Sequence, residues 1–100
     1  MADILMVGNL KIDSNLREVT VSGERLKLSI KEFDLLNALA QNLKKVLTRE
    51  QLMKLVWDSE YYGNTRTVDM HIKQVRAKIN GASVTIETIR GLGYKMIPKG

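Results

Sequence analysis

The stretch that decides the fold is Arg66-Thr-Val-Asp-Met-His-Ile-Lys-Gln-Val-Arg-Ala-Lys-Ile79, near the carboxyl end of the chain. In a helix with about 100° between successive residues, its aliphatic side chains fall within an arc of roughly 60°. The pattern predicts a helix over residues 66–79 that buries this face and leaves the opposite face free. The buried face would comprise Val68, Ile72, Val75 and Ile79, and the free face Arg66, Met70, Lys73, Gln74 and Ala77.

Two capping boxes upstream predict the starts of two further helices. Ser29-Ile-Lys-Glu32 and Thr48-Arg-Glu-Gln51 each place a hydroxyl three residues before a Glu or Gln. These two side chains can satisfy the free amides of a first helical turn. Apolar residues follow each box at helical spacing. They are Phe33, Leu36, Ala40 and Leu43 in the first helix, and Leu52, Leu55 and Val56 in the second.

Short alternating segments predict strands at both ends of the chain. Residues 4–7, 10–12, 19–21 and 26–28 are separated by Gly, Asn, Asp and Ser, as in an antiparallel meander. After Asn80-Gly81, which should stop the third helix, residues 84–89 and 94–97 flank the turn Arg90-Gly-Leu-Gly93. The order predicts an α+β fold, a winged helix-turn-helix with an N-terminal four-stranded antiparallel sheet, three helices and a C-terminal β-hairpin wing.

The chain has 100 residues, which is the length of one domain. Its excess of positive over negative charge lies entirely in the last third. Residues 1–63 hold nine basic and nine acidic side chains, whereas residues 64–100 hold seven and two, which accounts for the net charge of +5. A basic third on a balanced scaffold indicates a polyanionic partner. The alternative is that small basic domains are common and many bind nothing acidic.

The composition excludes other classes. The chain has no cysteine, which excludes disulfides and thiolate metal sites. No apolar run reaches the roughly 18 residues of a membrane span, and the N-terminus lacks the basic flank of a secretory signal. One histidine and scattered acidic residues offer no nucleophile–base pair, carboxylate pair or metal cluster. We therefore expect no enzyme activity, cofactor, metal or membrane partner, and a cytoplasmic location.

The free face of the third helix carries the side chains that a DNA major groove requires. Arg66 and Lys73 can neutralise phosphates or reach guanine, and Gln74 can address adenine. Met70 gains nothing from the core there, and a thymine methyl group would explain it. The alternative is a solvated basic face with one exposed methionine. On the hairpin, Arg90 can enter a narrow minor groove, the alternative being an ordinary glycine-rich turn.

Several motifs in the right order resemble one known family. They are Leu28-Ser-Ile-Lys-Glu-Phe-Asp-Leu-Leu36, Leu47-Thr-Arg-Glu-Gln-Leu52, Val56-Trp57, Arg66-Thr-Val-Asp-Met-His-Ile72, Val75-Arg76 and Ile86-Glu-Thr-Ile-Arg-Gly-Leu-Gly-Tyr94. Together they look like the C-terminal effector domain of OmpR/PhoB-type response regulators and cover nearly the whole chain. The resemblance implies the same fold, binding of double-stranded DNA and regulation of transcription.

By position, the resemblance also implies the DNA contacts. Base-edge contacts would fall on Met70 and Gln74, with Arg90 in the minor groove; Gln74 stands where some relatives carry Arg, which favours adenine over guanine. Phosphate contacts would fall on Arg49, Trp57, Arg66, Thr67, His71, Lys73, Arg76, Thr88 and Tyr94. Simple packing is the alternative for His71 and for Trp57. From the helical projection, we expect Asp69 to hold Arg66 or Arg76 rather than touch DNA.

The loop over residues 58–65 resembles the segment with which the family touches RNA polymerase. Its acidic and aromatic residues are Asp58, Glu60, Tyr61 and Tyr62. The alternative is a connecting loop without a further task.

The resemblance implies further partners. The family carries an N-terminal receiver domain, phosphorylated by a sensor kinase, for which this chain has no room. The chain is therefore an excised effector domain or a stand-alone relative. Linked to a receiver, two copies would occupy tandem half-sites about one helical turn apart, whereas the domain by itself should be monomeric and bind weakly. The alternatives to DNA binding are a winged helix that docks on an acidic protein and, more weakly, RNA binding.

Overall fold

A computed structural model describes residues 3–57 and 64–99 of the chain. The predicted α+β winged-helix architecture is confirmed. In chain order the elements are β1 (Ile4–Val7), β2 (Leu10–Asp13), β3 (Glu18–Val21), β4 (Glu24–Arg25), α1 (Ile30–Gln41), β5 (Leu47–Thr48), α2 (Arg49–Leu52) with a π-helical turn (Met53–Trp57), α3 (Arg66–Lys78), β6 (Val84–Ile89) and β7 (Gly93–Pro98).

The first four strands form an antiparallel meander in the order β1-β2-β3-β4. Ile12 pairs with Val19, and both side chains are buried in the core. The strand expected at residues 26–28 was wrong, because β4 comprises only two residues. The backbone N–H of Leu26 still donates to the Val19 carbonyl at 2.8 Å, and the chain then leaves the sheet to bring Ser29 to the start of α1.

Both predicted capping boxes are confirmed. Ser29 Oγ accepts from the backbone N–H of Glu32 at 3.2 Å, and Glu32 Oε1 accepts from the backbone N–H of Ser29 at 2.8 Å. Thr48 and Gln51 make the same reciprocal pair at the start of α2, at 3.0 and 2.8 Å. The first helix ends earlier than predicted, so Leu43 packs against the core from the turn beyond α1.

The second helix buries two of the three residues that were expected to share one side. Leu52 and Val56 are buried, whereas the grouping of Leu55 with them was wrong, because its side chain is 60% exposed. Beyond α2 the chain continues as the wider π-helical turn, which buries Met53 and Trp57 together with Val56. The indole ring removes far more apolar surface from water than a leucine does, so Trp57 faces inward.

The third helix buries the predicted face. Val68, Ile72 and Val75 are buried, and so is Ile79, the C-cap residue at which α3 ends. This stripe packs α3 against α1 and against β6. The helix therefore lies with its aliphatic edge inward, as its periodicity predicts.

A strand that was not predicted, β5, connects the wing to the helices. β5 pairs with the free edge of β7, so the second sheet has the order β5-β7-β6. Thr48 of β5 lies opposite Gly93 of β7. A Cβ atom on Gly93 would overlap the Leu47 carbonyl oxygen and lie 2.8 Å from Thr48 Cα. Only glycine lets the two backbones approach this closely.

Substituting Gly93 by alanine should therefore destabilise the domain by about 2–4 kcal/mol, because backbone must move to make room. Gly81→Ala is the matched control, since its Cβ would find its nearest neighbour, Val21 Cγ1, at 3.9 Å. We expect that control to change stability by less than about 0.5 kcal/mol. Urea unfolding measures both, and equal effects would show that the approach of β5 to β7 imposes no constraint.

A buried carboxylate ties α3 to α1. Glu32 is 3% exposed, and its Oε1 accepts from Lys78 Nζ at 2.6 Å. Lys78 also donates to the Lys27 carbonyl at 2.9 Å. Burial by itself raises the pKa of the Glu32 carboxyl, but the hydrogen bonds from Lys78 and Ser29 outweigh it, so the pKa lies below the ordinary value. The ionised carboxylate is thus the form that stabilises the fold.

Glu32→Gln should lower the free energy of unfolding at pH 7 by about 1–3 kcal/mol. Because the folded-state pKa is depressed, the wild-type protein has this stabilisation above the ordinary pKa of 4.5 and loses it as the pH falls through the folded-state value. The variant should lack this part of the acid dependence, as measured by urea unfolding between about pH 7 and pH 3. Glu24→Gln, at an exposed position in β4, is the control and should keep it. An unchanged acid dependence in Glu32→Gln would contradict the assignment.

Candidate nucleic-acid interface

The outward face of α3 is exposed as the periodicity predicts. Arg66, Lys73 and Gln74 are exposed, and Met70 is 63% exposed at the centre of the face. Ala77 continues the same face and is also exposed. The exposed face of α3 thus combines basic, hydrogen-bonding and apolar side chains, and a major groove admits a single helix.

The tip of the wing projects an arginine and an apolar side chain. Arg90 is exposed, and Gly91 adopts a φ of 77°, a left-handed conformation that glycine accepts without strain. The backbone N–H of Leu92 donates to the Ile89 carbonyl at 2.9 Å and closes the turn. Leu92 is 56% exposed beside Arg90, a feature that sequence reasoning did not identify.

Three elements meet at the carboxylate of Asp69, in the first turn of α3. Arg49 Nε, at the start of α2, donates to Asp69 Oδ1 at 2.9 Å. The hydroxyl of Tyr94, on β7, donates to the same oxygen at 2.6 Å. The expected pairing of Asp69 with Arg66 or Arg76 was wrong, because this flank of α3 faces α2 and β7.

The electrostatics of this cluster favour the bonds that the structure shows. Burial raises the pKa of Tyr94, and its hydrogen bond to Asp69 raises the pKa further, so the phenol keeps its proton. The hydrogen bond to Asp69 and attraction to its charge raise the pKa of Arg49. Because the Tyr94 proton is given to Asp69, it is not available to a phosphate in this geometry. Arg49 bonds to Asp69 through Nε, and its terminal nitrogens make no hydrogen bond to residues 3–57 or 64–99.

Arg76 fastens α3 to the wing. Its Nε donates to the Ile86 carbonyl at 3.0 Å, and its terminal nitrogen Nη2 donates to Thr88 Oγ1 at 2.9 Å. Both acceptors lie on β6. The guanidinium is half-buried, and Thr88 is exposed beside it.

Trp57, at the end of the π-helical turn, packs edge to face against His71 of α3, with ring centroids 4.9 Å apart and an interplanar angle of 73°. His71 Nδ1 lies 2.8 Å from the Thr67 carbonyl oxygen, which can only accept, so Nδ1 carries the proton. Trp57 is buried, as its packing interpretation predicts, and His71 is half-buried.

Contacts join several of the predicted DNA-contacting residues: Arg49 to Tyr94 through Asp69, Arg76 to Thr88, and Trp57 to His71. The predicted set falls into three levels of exposure. Met70, Gln74, Arg90, Arg66, Lys73 and Thr88 are exposed; Arg49, Thr67, His71 and Arg76 are half-buried; Trp57 and Tyr94 are buried. The proposed polymerase contacts Asp58, Glu60, Tyr61 and Tyr62 lie outside the described residues. The position of Asp69 at the centre of the group was missed, because no local pattern links it to Arg49.

Within residues 3–57 and 64–99, no cluster of three or more His, Cys, Asp or Glu side chains could hold a metal ion. In that part of the chain, no helix has both the length and the apolar character needed to cross a membrane.

Residues 23–96 match the family described as transcriptional regulatory protein, C terminal. The transcriptional regulatory protein VxrB of Vibrio cholerae is 48% identical over 92 residues, which cover 92% of this chain and 37% of that protein. The sensory transduction protein RegX3 of Mycolicibacterium smegmatis is 44% identical over 96 residues, covering 93% and 42%. The chain spans about two-fifths of the length of these relatives.

Solved structures of DNA-binding domains share the fold. The Klebsiella pneumoniae RstA DNA-binding domain, in complex with the RstA box, superposes with a TM-score of 0.83 at 31% identity, covering 95% of this chain and 97% of that one. The DNA-binding domain of CpxR from E. coli gives 0.83 at 32% identity, covering 97% and 98%. The chain therefore belongs to the family of C-terminal domains of transcriptional regulatory proteins, of the OmpR/PhoB response-regulator type that its motifs resemble.

Proposed function

We propose that this domain binds double-stranded DNA in a sequence-specific manner and is the output domain of a two-component transcription regulator. One observation carries the proposal: α3 buries its aliphatic face and exposes a basic, polar face beside an arginine-tipped hairpin. A major groove about 12 Å wide admits one helix, and the hairpin then falls over the adjacent minor groove. The RstA DNA-binding domain, which shares this fold, was solved in complex with the RstA box, and this supports DNA binding by the present domain.

The affinity would come from phosphate contacts around α3. Arg66 and Lys73 are exposed on the helix, and Arg49 has terminal nitrogens free of its bond to Asp69. Each neutralised phosphate releases condensed counterions, which makes binding depend steeply on salt. We propose the phosphate contacts named by resemblance, apart from Tyr94, whose hydroxyl proton is donated to Asp69.

The sequence preference would come from Met70, Gln74 and Arg90. Met70 gains no core burial and fits a thymine methyl group, and Gln74 has the paired donor and acceptor that adenine presents in the major groove. Arg90, at the hairpin tip, fits the negative potential of a narrow A·T-rich minor groove.

The remaining partners belong to the longer protein of which such domains are part. We propose that a receiver domain, controlled by a sensor kinase, brings two copies together on tandem half-sites in the cytoplasm. We also propose that Asp58, Glu60, Tyr61 and Tyr62 contact RNA polymerase.

Binding to a random-sequence duplex should fall steeply with salt. Four to six neutralised phosphates give a slope of log affinity against log salt near −4 to −5. Fluorescence anisotropy between about 50 and 200 mM salt measures this slope. A flat response, or no duplex binding while an acidic protein is bound, would favour the protein-docking alternative.

Two lysine variants locate the interface in the same assay. Lys73→Gln should reduce the slope by about 0.9, because one phosphate contact is lost. Lys11→Gln removes the same charge from the exposed face of the N-terminal sheet and should leave the slope unchanged. Equal changes would mean that net charge, and not the face of α3, determines binding.

Gln74 should discriminate at one base pair of the preferred site. Gln74→Ala should reduce that discrimination by about 1–3 kcal/mol, and Gln74→Arg should shift the preference toward guanine. Selection from random duplexes before and after each change gives the preference at every position. An unchanged preference in both variants would remove Gln74 from the base-contacting set.

A further inference from the structure

We propose that Asp69 is the positioning residue of the DNA-binding surface, holding Arg49 so that its terminal nitrogens face a DNA phosphate. The inference rests on the proposed function, since it assumes that this surface meets DNA. It assigns a role in binding to an acidic residue that would itself repel the ligand.

The geometry of the cluster supports this role. Asp69 Oδ1 accepts both bonds, from Arg49 at 2.9 Å and from Tyr94 at 2.6 Å. Tyr94 is buried and belongs to β7, so it anchors the carboxylate to the base of the wing. Arg49 belongs to α2 and its side chain is 36% exposed, so the far end of its guanidinium reaches solvent. One carboxylate oxygen of α3 thus accepts hydrogen bonds from α2 and from the wing.

The bond to Asp69 orients the Arg49 side chain before a ligand binds. A hydrogen bond at Nε fixes the plane of the guanidinium and leaves the two terminal nitrogens available to a ligand. This pair of donors matches the geometry of a phosphate. A free arginine side chain has many rotamers, and ordering it beforehand removes that cost from binding. Because Tyr94 is fixed in the core, the cluster holds this orientation without DNA.

Coulomb repulsion and positioning predict opposite signs for one substitution. Removing the Asp69 charge takes a negative group away from the DNA side, which by itself should tighten binding. If the carboxylate positions Arg49, the same removal weakens the charge-assisted bond that orients the guanidinium and should weaken binding. Loss of one phosphate contact also makes the dependence of affinity on salt shallower, which removal of repulsion does not.

The test is Asp69→Asn in the full domain, with duplex affinity measured by anisotropy at several salt concentrations. We expect binding to weaken about tenfold and the salt slope to become shallower by about 0.9, equivalent to one phosphate contact. Glu87→Gln is the matched control, because it removes the other acidic charge of residues 64–100 from an exposed position on β6. That control should bind as tightly as the wild-type domain, or more tightly.

A second background separates positioning from a loss of structure. In Arg49→Ala/Tyr94→Phe, the partners of Asp69 are gone, so adding Asp69→Asn should tighten binding two- to threefold by removal of repulsion. Tyr94→Phe by itself keeps the ring in the core and should weaken binding a fewfold. NMR titration of the Tyr94 Cζ resonance should show a lower phenol pKa in Asp69→Asn, because the Asp69 charge that helps to raise it is removed.

The outcomes are distinct. Wild-type binding with equal or tighter binding by Asp69→Asn overturns the positioning role and leaves the proposed function intact. The same loss from Asp69→Asn in both backgrounds would show a structural effect and also overturns it. Failure of the wild-type domain to bind duplex DNA in a salt-dependent manner would overturn the proposed function as well.

Discussion

The burial of the aliphatic stripe of α3 determines the orientation of every other functional group on that helix. Val68, Ile72, Val75 and Ile79 are buried, and fully burying four such side chains stabilises the domain by on the order of 6–12 kcal/mol. This is comparable with the whole stability of a small domain, so a half-turn rotation of α3 would unfold it. Polar contacts of about 1 kcal/mol each could not set the rotation against this term. The face offered to DNA is therefore selected by the core.

The rotation of α3 about its axis does not determine where the helix lies relative to the wing. That placement requires directional contacts at the edges of α3. Arg76 bonds to β6, Asp69 bonds to Tyr94 of β7, and Gly93 lets β7 approach β5. Each contact is modest in energy, but each constrains a different degree of freedom between α3, α2 and the hairpin. The recognition surface is thereby formed before the ligand arrives, which reduces the entropy lost on binding.

The sequence predicted those features that depend on local patterns. The capping boxes at Ser29 and Thr48 and the rotation of α3 follow from spacing along one helix. The two residues of β5 carry no periodic signal, so the strand could not be predicted. The burial of Trp57 and the exposure of Leu55 depend on contacts of the π-helical turn with α1 and of Trp57 with His71, which form only in the folded chain. The partner of Asp69 was sought on its own helix, whereas Arg49 lies 20 residues earlier and meets it only in the folded chain.

Phosphate contacts and base contacts depend on each other because both require a fixed position of α3. Phosphate contacts set the register of a helix in the groove, and base contacts discriminate only if that register is held. Gln74 projects from a helix whose position depends on Asp69 and Arg76, neither of which needs to touch a base. Loosening either anchor would let α3 settle in neighbouring registers, so sequence discrimination would decline together with affinity. If the domain binds DNA as proposed, the residues that orient the helix contribute to specificity without contacting a base.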